Sequence, residues 1–364
     1  MSVPAATRLA PRRDVSLLPG YHSPQVEVAV RLNANEAPEP PPAEFFEELR
    51  REVGDVALNR YPDREALALR EAVGLQHALP PERVYCANGS NEVLQSVFLA
   101  YGGPGRAAAV FEPSYALHPH IARVTGTEVV EGERDAEMLI GERELARLLA
   151  SAGRRRASSP EIVFLCSPNN PTGRAEPRAT IEQVLARAPG LVVVDEAYGQ
   201  FSSWSACELL ADHPNLVVVR TFSKTWSLAG LRLGYALADP RVVEDLGRVT
   251  LPYHLDAIKQ RAGRIALRYE GAMHERVARL VGERLRLVDG LARLGLEVFP
   301  SDANFVLFKV GSRDARELWR ELLSRSVLVR DVSGWPRLQG CLRVTVGTPA
   351  EDDAFLAALS AALG

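Results

Sequence analysis

Three stretches of the chain are continuously apolar rather than alternating: Ile162-Val163-Phe164-Leu165-Cys166, Leu191-Val192-Val193-Val194 and Leu216-Val217-Val218-Val219. They are short, rich in β-branched residues and bounded by Gly, Pro or Asn. A strand with one wet face alternates polar and apolar positions. A strand without polar positions is covered on both faces, as in a parallel sheet sandwiched by helices. Between the runs, Arg178 to Arg187 has helical spacing, and Val93 to Ala100 reads as a helix following Asn88-Gly89-Ser90-Asn91-Glu92. Strands alternating with helices predict an α/β domain with a doubly wound, mostly parallel sheet.

Past Leu251-Pro252 the pattern changes. One long helix is expected from Asp256 to about Leu291, then strands at 304–310 and 342–346, a helix near 314–323 between them, and a last helix from Glu351 to Leu363. The proline run Pro38-Glu39-Pro40-Pro41-Pro42 should be extended and should separate an N-terminal arm from a helix starting near Ala43. A chain of 364 residues is too long for one ordinary core. The expected division is an arm (1–42) packing on the small domain, a large cofactor-binding domain (43–250) and a small α+β domain (251–364), with the long helix as bridge.

Composition narrows the function without naming it. Apolar residues at 46% and charged residues at 24% fit a soluble globular protein. A net charge of −3 offers no basic field for nucleic acid or an anionic membrane. No apolar run approaches the ~20 residues that span a bilayer. Met1 to Asp14 carries arginines but no apolar signal core, which favours a cytoplasmic protein over a secreted one. Cys86, Cys166, Cys207 and Cys341 are scattered, so reduced thiols are expected and no metal. His118 and His120, flanking Pro119, read as structural.

Of the 43 Lys+Arg residues only Lys224, Lys259 and Lys309 are lysines. Lys224 sits in Thr221-Phe222-Ser223-Lys224, ahead of Gly230-Leu231-Arg232-Leu233-Gly234. A lysine amine deprotonates readily when buried and can form a Schiff base with an aldehyde cofactor, which arginine cannot do. Thr221, Ser223 and Arg232 can hold a phosphate beside it; the alternative is a lysine in a Ser/Thr-rich turn. Ligands of open α/β sheets lie beyond the carboxyl ends of the strands. Asp195, in Asp195-Glu196-Ala197-Tyr198, ends one predicted strand and is either a helix cap or the carboxylate partner of a pyridinium nitrogen. Asn170 follows another strand in Asn169-Asn170-Pro171-Thr172-Gly173 and, with Tyr198, can donate to a phenolic oxygen. Ser90 and Asn91 open a helix, which suits a phosphate or simple capping. Tyr115, in Pro113-Ser114-Tyr115, is a candidate ring-stacking residue or a core tyrosine.

Taken in their order along the chain, these five segments resemble the fold-type-I, class I/II aminotransferases over roughly residues 30 to 350. Further stretches resemble the subgroup acting on histidinol phosphate: Leu32-Asn33-Ala34-Asn35-Glu36, Arg60-Tyr61-Pro62-Asp63, Leu251-Pro252-Tyr253, Ala303-Asn304-Phe305, Val329-Arg330-Asp331 and Leu342-Arg343-Val344-Thr345-Val346-Gly347. The resemblance implies pyridoxal 5'-phosphate held at Lys224, with Asp195 on the ring nitrogen, Asn170 and Tyr198 on the phenolic oxygen and Tyr115 against the ring. It implies that Ser90, Asn91, Thr221, Ser223 and Arg232 hold the cofactor phosphate, joined by Tyr61 of the second subunit of a homodimer. Arg343 would take the substrate's α-carboxylate or the equivalent phosphate; Arg330 and Tyr21 would take the phosphate of histidinol phosphate, with 2-oxoglutarate as acceptor. An aromatic amino-acid aminotransferase and a threonine-phosphate decarboxylase on the same scaffold are the alternatives. Ser333-Gly334-Trp335 matches no part of the family pattern.

Overall fold

The computed structural model describes residues 25–150 and 160–364. Seven strands form the central sheet: β2 (Val84–Ala87), β3 (Ala107–Glu112), β4 (Glu128–Glu133), β5 (Ile162–Cys166), β6 (Leu191–Asp195), β7 (Leu216–Thr221) and β8 (Gly234–Leu237). Their spatial order is β2-β8-β7-β6-β5-β3-β4, and β8 alone runs against its neighbours. The helices connecting and flanking them are α1 (Ala43–Gly54), α2 (Leu67–Gln76), α3 (Ser90–Tyr101), α4 (Leu117–Val124), α5 (Glu142–Ala150), α6 (Arg178–Arg187) and α7 (Pro240–Val249).

Side chains of a strand alternate between faces, and here both faces are covered. Val192 and Val194 of β6 and Leu216 and Val218 of β7 enter one core, whereas Leu191, Val193, Val217 and Val219 enter another. This is why the sequence shows unbroken apolar runs. Each fully buried Val or Leu stabilises the fold by about 1.5–3 kcal/mol. The polar residues that end these strands, Asp195 and Thr221, are also buried, so their position calls for partners.

The expected single helix is two, α8 (Ala257–Leu267) and α9 (Glu270–Arg293), broken at Arg268-Tyr269. No Gly or Pro stands at the break; tertiary contacts make it. Arg268 Nη1 pairs with Glu48 on α1, Tyr269 Oη donates to Glu48 at 3.2 Å, and the Tyr269 ring meets Phe45 edge-on. Helix α8 therefore packs on α1 and α2, and Leu255, Ala262 and Ile265 belong to the core of the large sheet. The packing boundary thus lies beyond the division expected at 250/251. Helix α9 crosses it: Met273 enters the first core, and Leu280, Leu287 and Leu291 enter that of the small domain.

The small domain holds β9 (Glu297–Val298), β10 (Phe305–Lys309), β12 (Arg330–Asp331) and β13 (Cys341–Thr345) in the antiparallel order β12-β13-β10-β9, with α10 (Ala315–Ser324) and α11 (Pro349–Leu363). Helix α11 opens with a capping box between Thr348 and Glu351 and Pro349 at its first position. From the N-terminal side, β1 (Val30–Arg31) pairs in parallel with β11 (Val327–Leu328), and Val30 and Leu32 join the small-domain core. The chain next to β1 is fixed by hydrogen bonds from Leu32 N to Leu328 O and from Thr345 N to Leu32 O. Residues 33–36 are thereby carried over the carboxyl ends of the large sheet.

Candidate active site

A cavity of about 340 Å³ opens where β5, β6 and β7 end, within the usual range for small-molecule sites. Its floor belongs to the large domain. Asp195, the last residue of β6, is 2% exposed; its Oδ1 accepts from Ala197 N at 3.0 Å and its Oδ2 lies 3.0 Å from His118 Nε2. His118 lies buried on α4, with its ring 5.2 Å from Phe164 and 5.4 Å, edge-on, from Tyr115. The histidine expected to be purely structural therefore orients the buried carboxylate. Tyr198 follows in the turn after β6, buried, its hydroxyl accepting from Asn35 Nδ2 at 2.9 Å. Burial pushes that hydroxyl's pKa up, against the opposing charge of Arg343.

Lys224 stands three residues past the end of β7, with Nζ donating to Ala34 O at 3.1 Å and lying 5.7 Å from the centre of the Tyr198 ring. Enclosure in the site lowers its pKa to about 8; the charge of Arg343 pushes the same way and Glu36 opposes it. An amine poised there exchanges its proton near neutral pH.

One corner is a polar cradle. Thr221 Oγ1 donates to Ser223 Oγ at 3.0 Å and accepts from Ser223 N at 3.1 Å, and Arg232 Nη1 donates to Ser223 Oγ at 3.3 Å. Helix α3 begins beside them at Ser90, directly after Gly89 at φ +82°. A Cβ on Gly89 would fall 2.9 Å from Arg232 Nη2, so only glycine leaves the guanidinium its place. Arg232 itself adopts φ +56°, a costly conformation for a residue with a side chain, and the fold holds it at this site. Asn91, at the start of the same helix, accepts from Tyr115 Oη at 3.3 Å.

The wall opposite comes from the small domain and the arm. Arg343 on β13 is 4% exposed. Its Nη1 donates to Asn170 Oδ1, its Nη2 donates to Asn33 O at 2.8 Å, and its guanidinium stands 5.0 Å from the Phe305 ring. Arg330 on β12 is its direct cross-strand partner and also lines the cavity, as does Trp335. The loop bearing Asn170 is locked to the small domain: Asp302 N donates to Gly173 O at 2.7 Å, and Asp302 Oδ2 accepts from Ala175 N at 3.0 Å.

Twelve of the candidates drawn from the sequence thus line one cavity: Ser90, Asn91, Tyr115, Asn170, Asp195, Tyr198, Thr221, Ser223, Lys224, Arg232, Arg330 and Arg343. Tyr61 does not join them in its own chain. It is 81% exposed and stacks on Tyr253 at 4.5 Å; Leu58 and Leu251, close to these two residues in the chain, are exposed as well. Tyr21 lies outside the described residues. Four further contributors are not apparent from the sequence. Asn33 and Asn35 stand there only as part of a motif, and Trp335 only in a turn outside the family pattern. His118 carried one usable signal, its place one turn after Tyr115.

Residues 27–359 match the family model described as "Aminotransferase class I and II". The chain is 47% identical to a histidinol-phosphate aminotransferase of Thermobifida fusca, over 94% of this chain and 93% of that one. It is 44% identical to one from a Mycobacterium species, over 93% and 90%. Among solved structures, histidinol-phosphate aminotransferase from Sinorhizobium meliloti in complex with pyridoxal-5'-phosphate superposes with a TM-score of 0.87 at 26% identity, covering 100% of this chain and 99% of that one. L-threonine-O-3-phosphate decarboxylase from Porphyromonas gingivalis, at 23% identity and a TM-score of 0.79 over 91% and 98%, shares the fold alone. The chain belongs to the class I and II aminotransferases, the family whose cofactor is pyridoxal 5'-phosphate.

Proposed function

We propose that this enzyme transfers the amino group of histidinol phosphate to 2-oxoglutarate, giving imidazole-acetol phosphate and glutamate. The observation that carries the reading is the cross-strand pair Arg330–Arg343 set in the same cavity as Lys224. A single arginine fork suits a carboxylate; two converging forks suit a phosphate dianion. The 47% identity to a histidinol-phosphate aminotransferase over nearly the whole chain supports the same substrate.

The donor set fits the family's cofactor. Thr221, Ser223, Arg232 and the backbone N–H groups that open α3 are a cradle for a phosphate. Asp195 offers a buried carboxylate for a protonated ring nitrogen, and Tyr198 and Asn170 offer polar groups for the ring's phenolic oxygen. Tyr115 flanks the same space. When bound, pyridoxal 5'-phosphate supplies an aldehyde for amines and a ring that accepts electron density from the substrate's Cα. Lys224 Nζ would take the Cα proton and pass it to the carbon of the cofactor's aldehyde group. Its lowered pKa, about 8, suits both directions. Asp195, fixed by His118 and Ala197 N, would keep the ring nitrogen protonated, so that the ring can draw electron density from the substrate's Cα. Arg343, preset by Asn170 and Asn33, holds the anionic end of either substrate, and Arg330 adds the second fork that a phosphate requires.

The exposed surface around Tyr61, Tyr253, Leu58 and Leu251 supports a homodimer in which Tyr61 reaches the partner's cofactor phosphate. Mixing Tyr61→Phe and Lys224→Ala proteins should then give heterodimers with one wild-type-like site, and a mixture no more active than the Tyr61→Phe protein it contains contradicts shared sites. For the substrate, the purified holoenzyme is titrated with histidinol phosphate, phenylalanine and glutamate while the cofactor absorbance is followed. Histidinol phosphate and glutamate should each convert it. A response to phenylalanine at far lower concentration than to histidinol phosphate would replace this reading with an aromatic aminotransferase.

A further inference from the structure

Strand β12 is two residues long, and the chain turns at once after Arg330 and Asp331. Asp331 Oδ1 accepts from Ser333 N at 2.9 Å and from Ser333 Oγ at 2.6 Å, so this oxygen is engaged by its own turn. Trp335 N donates to Val332 O at 2.9 Å, which brings the indole back toward the strand. The Arg330 guanidinium carbon lies 5.7 Å from the centre of the indole ring. Trp335 also packs on an apolar cluster of Met138, Leu307, Val332, Leu338 and Cys341. Met138 belongs to the loop after β4, so the cluster joins the two domains. Arg337, two residues past Trp335, extends the seam by donating to Arg134 O.

We propose that Trp335 is a positioning residue that aims Arg330 at the substrate's phosphate and thereby sets the preference for a phosphorylated amino donor over its dephosphorylated form. The inference rests on the phosphate-binding role given to Arg330 above. A guanidinium laid against an aromatic face is attracted by the ring's π surface, an interaction that does not consume the in-plane N–H donors. Anchored to both domains, the indole limits where the long arginine side chain can point, and the fork reaches the phosphate already oriented.

The test compares unsubstituted holoenzyme with Trp335→Phe, Trp335→Met, Trp335→Leu and Arg330→Gln, using histidinol phosphate and histidinol as donors at fixed 2-oxoglutarate. Inorganic phosphate serves as a competitive inhibitor. Trp335→Met and Trp335→Leu should raise both the KM for histidinol phosphate and the inhibition constant of phosphate roughly tenfold, the scale of one desolvated cation–π contact. Their kcat, and their KM for histidinol, should move by no more than about twofold, the signature of lost binding rather than lost chemistry. Trp335→Phe, which keeps an aromatic face, should restore most of the preference. If Trp335→Leu fails to fold, the Met and Phe variants carry the comparison. Equal weakening of both donors would make Trp335 a packing residue and overturn the proposal. So would unchanged selectivity in the Met and Leu variants while Arg330→Gln loses it, a result that leaves the role of Arg330 standing. If Arg330→Gln matches the unsubstituted enzyme, the phosphate role of Arg330 fails, and this inference fails with it.

Discussion

The two sides of the cavity are built differently. The floor comes from one domain, with Asp195 and Thr221 ending adjacent strands and Lys224 a few residues beyond. Asp195, Thr221 and Ser223 are held by neighbours on the same sheet or helix layer, and Lys224 alone of these floor groups also reaches the arm, at Ala34 O. The wall is assembled from parts hundreds of residues apart: Arg343 reaches Asn33 O and Asn170 Oδ1, and Thr345 Oγ1 accepts from Asn35 N. A floor fixed by a sheet buried on both faces serves chemistry that does not change between substrates. A wall that spans two domains and an arm can be altered locally to change what is bound.

Substitutions that separate chemistry from recognition test this contrast. The largest loss should follow Lys224→Ala, which removes the proton carrier at the centre of the floor. Turnover should fall by ~10⁴-fold or more, as for other residues acting inside a catalytic unit, while the protein stays folded and retains cofactor without a covalent link. Borohydride reduction and peptide mapping of the unsubstituted enzyme locate that link; an adduct on Lys259 or Lys309 would refute the assignment. Asp195→Ala comes next, with kcat lowered by about 10²–10³ as for loss of one preorganised electrostatic contact and the KM for either substrate little changed. Near-normal turnover would reduce Asp195 to a helix cap. His118→Phe acts through Asp195 and should cost roughly tenfold in kcat, since a hydrogen bond to a charged group contributes about 1.5 kcal/mol.

The smallest effect is one of pH. Only a neutral amine attacks an aldehyde, and the Lys224 pKa is lowered from 10.5 to about 8. Capture of the cofactor by cofactor-free enzyme should therefore be slow below pH 8, where the amine is protonated, and should level off above it. A rate still rising toward pH 10 would mean that the site leaves Lys224 unperturbed. Replacing Arg343 by Gln removes a positive charge that lowers this pKa and should shift the midpoint upward.

The same contrast explains what could be read from the residues alone. The floor lies in short local patterns whose meaning follows from strand ends, so Asp195, Asn170, Thr221, Ser223 and Lys224 were identified with their neighbours. The wall left weaker traces. Arg330 and Arg343 stood out through resemblance, whereas Asn33, Asn35 and Trp335 gained meaning only when β1, β11 and β13 came together. His118 looked inert because nothing local shows that α4 places it under Asp195. The break at Arg268-Tyr269 and the membership of α8 in the large core share one cause: contacts with Glu48 and Phe45 on a distant helix override a helical pattern that the local sequence does not interrupt.

The central claim is that one cavity couples the Lys224 floor to a two-arginine wall selecting a phosphorylated amine. Its most direct test is kcat/KM for histidinol phosphate relative to phenylalanine, measured for the unsubstituted enzyme and for Arg330→Gln. The unsubstituted enzyme should favour histidinol phosphate strongly, and Arg330→Gln should lose about 2–4 kcal/mol of that preference with cofactor absorbance intact, the scale for removing one partner of a desolvated charge pair. An unsubstituted enzyme that favours phenylalanine, or a variant with undiminished preference for histidinol phosphate, would contradict the account.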